Sequence, residues 1–294
     1  MVMARIQFSL RIVHGRLRSP KCKICKMCRM QLNESGMLCL FLLLSLMLRS
    51  GVQAAPRLHS SSNTIDPEEA AGLVEGDMKL NEYEQQDMQG RNGLIAAEKR
   101  WPNNLVIYKI SEDFDDSHRA AILKGIATLE ENTCVRFREA EPEDTAYVDI
   151  SAKPGGCYTA VGYRGTVQEM NLEIYPLGEG CFRPGTILHE FMHAMGFYHQ
   201  QSSSIRDDYI QVVYDNIVPG KEFNFKKYES TVVTDFELGY DYDSCLHYRP
   251  GAFSINGEDT IIPLDPNAQI GQRVGLSAKD IDKINIMHKC PLLV

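Results

Sequence analysis

The chain has little that would hold it in a bilayer. Its marked apolar run, "MLCLFLLLSLML" at Met37–Leu48, is twelve residues long, whereas a transmembrane helix needs about 20. The body is also short of positive charge. Residues 1–50 hold nine Lys/Arg and one acid and so carry +8; with a total of −8, the remainder carries −16. An acidic body argues against nucleic acid as the partner. Residues 56–90 are poor in aromatics and show no apolar period long enough to build a core. Such a segment is ordered only against a partner. No internal repeat appears, and residues 92–294 contain no Asn-x-Ser/Thr sequon, so N-glycosylation is not expected there.

What is present is ordinary for a folded chain. Of 294 residues, 44% are hydrophobic and 24% charged, enough for one or two domains with a core. The basic start, the short apolar run and "GVQAAP" after it read together as a signal peptide, cleaved near Ala54 or Ala55. An uncleaved anchor is the competing reading. Initiation at Met30 or Met37 would give a signal of conventional length. The nine cysteines divide in the same place. "CKICKMC", with Cys22, Cys25 and Cys28, has the spacing of a metal site but no well-placed fourth ligand, and it lies in the leader. Cys134, Cys157, Cys181, Cys245 and Cys290 remain, which in an oxidising compartment means two disulfides and one leftover thiol.

Arg91 is a plausible cut site ahead of "RWPNNLVIYKI". The chain therefore divides into a basic leader and signal peptide (1–55), a propeptide (56–91) and a working domain (92–294). Within that domain Leu105–Ile110 alternates β-formers and reads as a strand. Asp115–Glu131 has apolar residues near helical spacing, with Asp115 or Asp116 as N-cap. Val135–Phe137, Tyr147–Ser151 and Met170–Ile174 are short strands between glycine-marked turns. Thr186–Met195 and Ala278–His288 read as helices.

The chemistry concentrates in "HEFMHAMGFYH", His189–His199. On a helix each residue turns about 100°, so His189 and His193 share one face and can grip one metal ion. Glu190 lies beside that face, near the metal without coordinating it. Gly196 can adopt a left-handed conformation, end the helix and let the chain fold back to deliver His199. Three imidazoles leave one coordination position open, the pattern of catalytic rather than structural zinc. Bound zinc lowers the pKa of water to about 7, and Glu190 is placed to take the proton. The full spacing His-Glu-x-x-His-x-x-Gly-x-x-His is specific because glycine and a third histidine must fall at fixed offsets.

With those residues in place, the sequence resembles the astacin family of zinc endopeptidases, within the metzincins, in its single-domain secreted form. "GTILHEFMHAMGFYHQ" is similar to that family's zinc helix, and "RWPNNLVIYKI" to its mature N-terminal strand. "GCYTAVGYRG" and "GCFRPGT" resemble the segments around its smaller disulfide, and "YDYDSCLHY" its Met-turn and zinc-proximal tyrosine. The match covers roughly residues 92–290. The resemblance implies an α+β, two-lobed fold. Its N-terminal lobe would hold a twisted mixed sheet and two long helices; its C-terminal lobe would be largely irregular with a terminal helix, and a zinc cleft would lie between. It pairs Cys157 with Cys181 and Cys134 with Cys290. It implies a secreted, extracellular monomer that binds one Zn2+, cleaves polypeptide substrates and has no stable membrane association. Tyr248 would stabilise the oxyanion. Asp77, in "EGDM", would occupy the open zinc position in a zymogen, so that the propeptide acts as an intramolecular inhibitor. Gly76 would let that backbone approach closely. Many members favour an acidic residue just after the cut, and Arg249 is a candidate to supply charge to that pocket.

The sequence departs from the family at several points. Leu246 stands at the Met-turn methionine, a near volume-conserving exchange. Gln200 replaces a glutamate that contacts the amino terminus made by propeptide cleavage, which puts that latch and Asn92 as the mature terminus in doubt. Ser203 and Ile205 stand where Arg and Asp are expected. Cys245 reads as a small buried hydrophobe. These departures motivate a rival of another class, a non-catalytic binding protein on an astacin scaffold; against it, every residue that hydrolysis requires is present.

Overall fold

Val106, Tyr108 and Ile110 are buried while their neighbours along "LVIYKI" are less so, and this period of two makes a strand with one face in the core. That strand, β2 (Leu105–Ile110), lies inside a 6-stranded sheet. The computed structural model describes residues 65–80, 97–230 and 234–291. The leader with its apolar run and cysteines, and the expected boundary at Arg91 and Asn92, lie outside the described residues. The other strands of the sheet are β1 (Met78–Lys79), β3 (Arg136–Glu139), β4 (Val148–Ser151), β5 (Cys157–Ala160) and β6 (Gln168–Leu172). Their order is β1-β5-β6-β4-β2-β3, and β5–β6 is the antiparallel pair in an otherwise parallel ladder.

Two helices cover this sheet. Asp115 accepts from the backbone N–H groups of Ser117 and His118 and so starts α2 (Asp116–Asn132), which follows the short α1 (Pro67–Ala70). The third helix, α3 (Pro184–Met195), is buried at every residue from Gly185 to Met195. A helix buried on all sides belongs in the middle of a domain, and the functional histidines ride on it. Gly196 ends it at φ 111°, a conformation open to glycine, and its N–H caps the helix at the His193 and Met192 carbonyls.

Beyond Gly196 regular structure thins. A two-stranded pair, β7 (Ile210–Val212) with β8 (Ile261–Pro263), is joined by single 3-10 turns. The final helix, α4 (Ala278–Met287), opens with a capping box in which Ser277 and Asp280 satisfy each other's backbone. Ile284 and Met287 return to the main core, while Ile210, Phe225, Tyr240, Tyr248, Phe253 and Ile261 form a second one. The fold is thus α+β and two-lobed. Cys134 is bonded to Cys290 and Cys157 to Cys181, and Cys245 is a buried free thiol. Among the described residues no helix is long and apolar enough to cross a membrane.

Most expected elements recur with shifted ends, but β5 and the β7–β8 pair were not anticipated. Residues 65–80 are ordered against the body. Met78 pairs with Thr159 and Lys79 with Ala160, adding an edge strand to the sheet. Met78, Leu80 and Val161 form a small apolar cluster there.

Candidate metal centre

The four-residue spacing places His189 and His193 one turn apart on α3, and the chain reversal at Gly196 brings His199 to face them. Their Nε2 atoms converge: His193 lies 2.9 Å and His199 3.2 Å from His189. Asp77 enters the same space, 3.0 Å from His189, 3.3 Å from His199 and 3.6 Å from His193. Ligand atoms of all four residues lie within 4.8 Å of one another.

The outer nitrogens fix the tautomers. His189 Nδ1 donates to the Cys245 carbonyl at 2.8 Å and His193 Nδ1 to the Phe197 carbonyl at 2.6 Å. A carbonyl only accepts, so the proton sits on Nδ1 and the Nε2 lone pair faces the centre. His199 Nδ1 faces the Glu75 carboxylate at 2.8 Å. Lone pairs and a carboxylate turned on one another in a dry pocket repel unless a cation lies among them. The electrostatics agree. Burial opposes charge on His199, yet the Asp77 and Glu75 carboxylates push it up to about 9. Burial would raise the Asp77 carboxyl, but His199 and His189 override it and hold it well below its usual range. A metal ion would meet the same demand for positive charge by replacing the His199 proton; three imidazoles with free Nε2 lone pairs and a carboxylate are then competent ligands for zinc, so the residues present fit that ion.

Glu190 is fully buried, and neither carboxylate oxygen has a hydrogen-bond partner. Burial first, then the charges of Asp77 and Glu68, push its carboxyl well above the usual range. A carboxyl held above its usual range beside the metal-ligating helix face is a candidate proton carrier. The Tyr248 ring lies 4.8 Å from His199, and its hydroxyl donates to the Glu75 carbonyl at 2.5 Å.

Residues 65–80 reach the centre through a turn in which Gly76 has φ 92° and a side chain would strike the Glu68 carbonyl at 2.6 Å. Glu75 accepts from Ser202 at 2.8 Å as well as facing His199. On the far side of that turn α1 docks by charge. Glu68 accepts from Arg273 at 2.6 Å and from Thr186 at 2.7 Å, with Arg183 at 3.1 Å. Burial raises the Glu68 carboxyl, but Arg273 outweighs it and holds it well below its usual range. Arg249 donates to Glu69 at 2.5 Å.

Several of these residues escaped sequence reasoning. Glu75 stood inside the quoted "EGDM" without a role. Pro67 behind Asp66 carried the signal for α1, a cap followed by proline at the first helical position. Asp280 accepts from Ser244 at 2.6 Å and from the Cys245 N–H at 2.9 Å, and so fixes the turn whose carbonyl orients His189. The Ser277-x-x-Asp280 box marked its place on α4 but not that reach. Gln200, in place of a glutamate, accepts from the buried Lys283 ammonium at 2.5 Å. Ser203 and Ile205 take part in the turn ahead of Arg206, which is buried and donates to the carbonyls of Gln201 and Phe225. Leu246 is buried in the main core.

Comparison with known proteins agrees with this geometry. Residues 93–289 match the family model described as Astacin, a peptidase family. The chain is 46% identical over 231 residues to seminal metalloprotease 1 of Drosophila melanogaster, covering 77% of this chain and 90% of that protein. It is 37% identical over 201 residues to zinc metalloproteinase nas-13 of Caenorhabditis elegans, covering 68% of this chain and 43% of that one. Among solved structures, high choriolytic enzyme 1, a hatching enzyme zinc-protease of Oryzias latipes, superposes with a TM-score of 0.59 at 34% identity. That match covers 65% of this chain and 94% of that one.

Proposed function

The chain belongs to the astacin family and is a metalloendopeptidase, and from that premise we propose that it is a secreted zinc endopeptidase made as a zymogen. In this reading residues 1–55 direct export, 56–91 hold the enzyme latent and 92–294 act on polypeptides as an extracellular monomer. The observation that carries it is the convergence of three Nε2 lone pairs on one point, with the Asp77 carboxylate filling the remaining side.

His189, His193 and His199 would hold the ion. Zinc, when bound there, supplies Lewis acidity toward a water and a carbonyl oxygen. Glu190 takes the proton of the attacking water at its carboxylate and delivers it to the nitrogen of the leaving amine. Tyr248 donates its hydroxyl proton in a hydrogen bond to the scissile carbonyl oxygen as charge develops. In the latent chain that hydroxyl is engaged by the Glu75 carbonyl, and Asp77 stands where water must enter. One segment therefore blocks both the nucleophile and the oxyanion donor, which supports latency.

The test is metal analysis and a generic peptide assay on the matured protein. One zinc per chain is expected, with activity abolished by chelator. Glu190→Ala should keep the metal and lose at least about 100-fold in kcat. Zinc-loaded protein that hydrolyses nothing would favour the binding-protein reading; a matured chain without stoichiometric zinc would end the proposal. Asp77→Ala should give a precursor that is unstable or active before cleavage, and ordinary latency in that variant counts against the switch.

A further inference from the structure

The segment that covers the centre reverses its charge across Asp77. On one side Glu68 and Glu69 meet arginines; on the other Lys79 presents a cation. Lys79 lies two residues beyond Asp77, paired with Ala160 on β5. Its ammonium forms an ion pair with Glu169 of β6 and lies 5.8 Å from the centre of the Tyr158 ring. Arg164 donates to its carbonyl. Both the backbone and the side chain of this lysine thus have receptors on the body.

These receptors stay behind if the segment leaves. Glu169 would keep one cationic partner, Lys153 at 2.6 Å, and lose the other. Burial alone would raise the Glu169 carboxyl, but the two lysines outweigh it and hold it below its usual range. β1 is the edge of the sheet, so its departure turns β5 into an open edge, and an extended peptide can add to such an edge through its main chain. Two residues of strand span about 7 Å, which puts the Lys79 position within reach of a peptide whose scissile bond lies at the metal.

We infer that Glu169 and the face of Tyr158 form a subsite for a lysine or arginine side chain of the substrate, two or three residues from the bond that is cut. A carboxylate beside an aromatic face selects an alkylammonium or guanidinium on two grounds, charge pairing and cation–π attraction. The inference rests on the reading of residues 56–91 as a removable segment.

The experiment uses the full chain after removal of that segment. Peptides carry Lys, Ala or Glu in turn at each of three positions on either side of one scissile bond, and kcat/KM is measured for the native enzyme, Glu169→Gln and Tyr158→Leu. At one position the native enzyme should prefer Lys over Glu by about 3- to 10-fold. That ratio should fall toward one in Glu169→Gln and partway in Tyr158→Leu. Peptides cut with no preference for Lys at any position would overturn the subsite alone. So would a Lys preference that survives both substitutions. A native enzyme that cuts none of the peptides would overturn the subsite together with the reading beneath it.

Discussion

The sheet lobe and the lobe after Gly196 are held by different means. In the first, backbone ladders and two long helices set the geometry, and side chains fill the space between them. In the second, side chains substitute for ladders. Arg206 is buried and ties two carbonyls together, Tyr209 stacks on Tyr240 at 4.9 Å, and Asp280 reaches from α4 to the turn at Ser244–Leu246. The metal centre straddles this boundary. His189, Glu190 and His193 are spaced by helix geometry, with the His189 ring further held by the Cys245 carbonyl, whereas His199 and Tyr248 depend on the second lobe for their position. That lobe should therefore be the weaker partner, and its long-range ties should matter most.

The strongest way to break that comparison is to cut the ties. Cys134–Cys290 closes a sequence separation of 156 and anchors the end of α4, whereas Cys157–Cys181 closes 24. By loop entropy the first contributes about 5 kcal/mol and the second about 3. Replacing Cys134 and Cys290 together by serine should cost the larger amount in chemical denaturation. It should also lower peptide hydrolysis, because α4 carries the Asp280 clamp. A larger loss from the Cys157/Cys181 pair would reverse the ranking of the lobes.

A gentler probe is pH. Burial, reinforced by the Arg100 charge, pushes His288 down to about 4, and burial pushes His247 down to about 3. Both belong to the second lobe or its return to the core. In the window between about 6.5 and 4 the unfolded chain binds protons that these residues refuse, so stability rises with pH and is lost on acidification. For His288 the full effect is about 3 kcal/mol. In the sheet lobe His118 goes the other way. Burial lowers it, but the Tyr175 carbonyl and Asp115 outweigh burial and raise it, so its contribution is present at low pH and lost as pH rises through its folded pKa. Denaturation at pH 7 and pH 4.5 should show a smaller drop for His288→Gln than for the native chain. Equal drops would mean that acid sensitivity does not arise in this lobe.

The same divide separates what the sequence disclosed from what it hid. The helix-borne half of the centre was legible because a four-residue spacing on a helix is a geometric statement. So was the stop at Gly196, whose left-handed φ follows from its lack of a side chain. Resemblance to the family supplied Tyr248, Asp77 and the disulfide pairs, which no local spacing fixes. The second-lobe supports stayed hidden for a physical reason. Asp280 and Ser244 are 36 residues apart, and Glu68 and Arg273 are 205 apart. Nothing in a local pattern says which carboxylate will meet which donor at such separations. The order in residues 65–80 was legible in outline only: their composition reads as unable to fold without a partner and resemblance brought Asp77 to the centre, but the docking of Glu68 on Arg183 and Arg273 had no local signal.

The finest test lies at Leu246, next to the Cys245 carbonyl that accepts from His189. A methionine is expected there by resemblance, yet its side chain would only fill space. Leu246 is 3% exposed within the main core. Its contributions to the polar network are made by backbone: its N–H donates to the Ser244 hydroxyl and its carbonyl accepts from the Gln200 N–H, both at 3.1 Å. Any residue of similar volume preserves these bonds. Leu246→Met should therefore shift stability by less than about 1.5 kcal/mol in either direction and leave zinc content at one per chain. If zinc were lost or kcat fell sharply, the turn would be acting through its side chain, and the division into a helix-fixed half and a backbone-clamped half would fail at their junction.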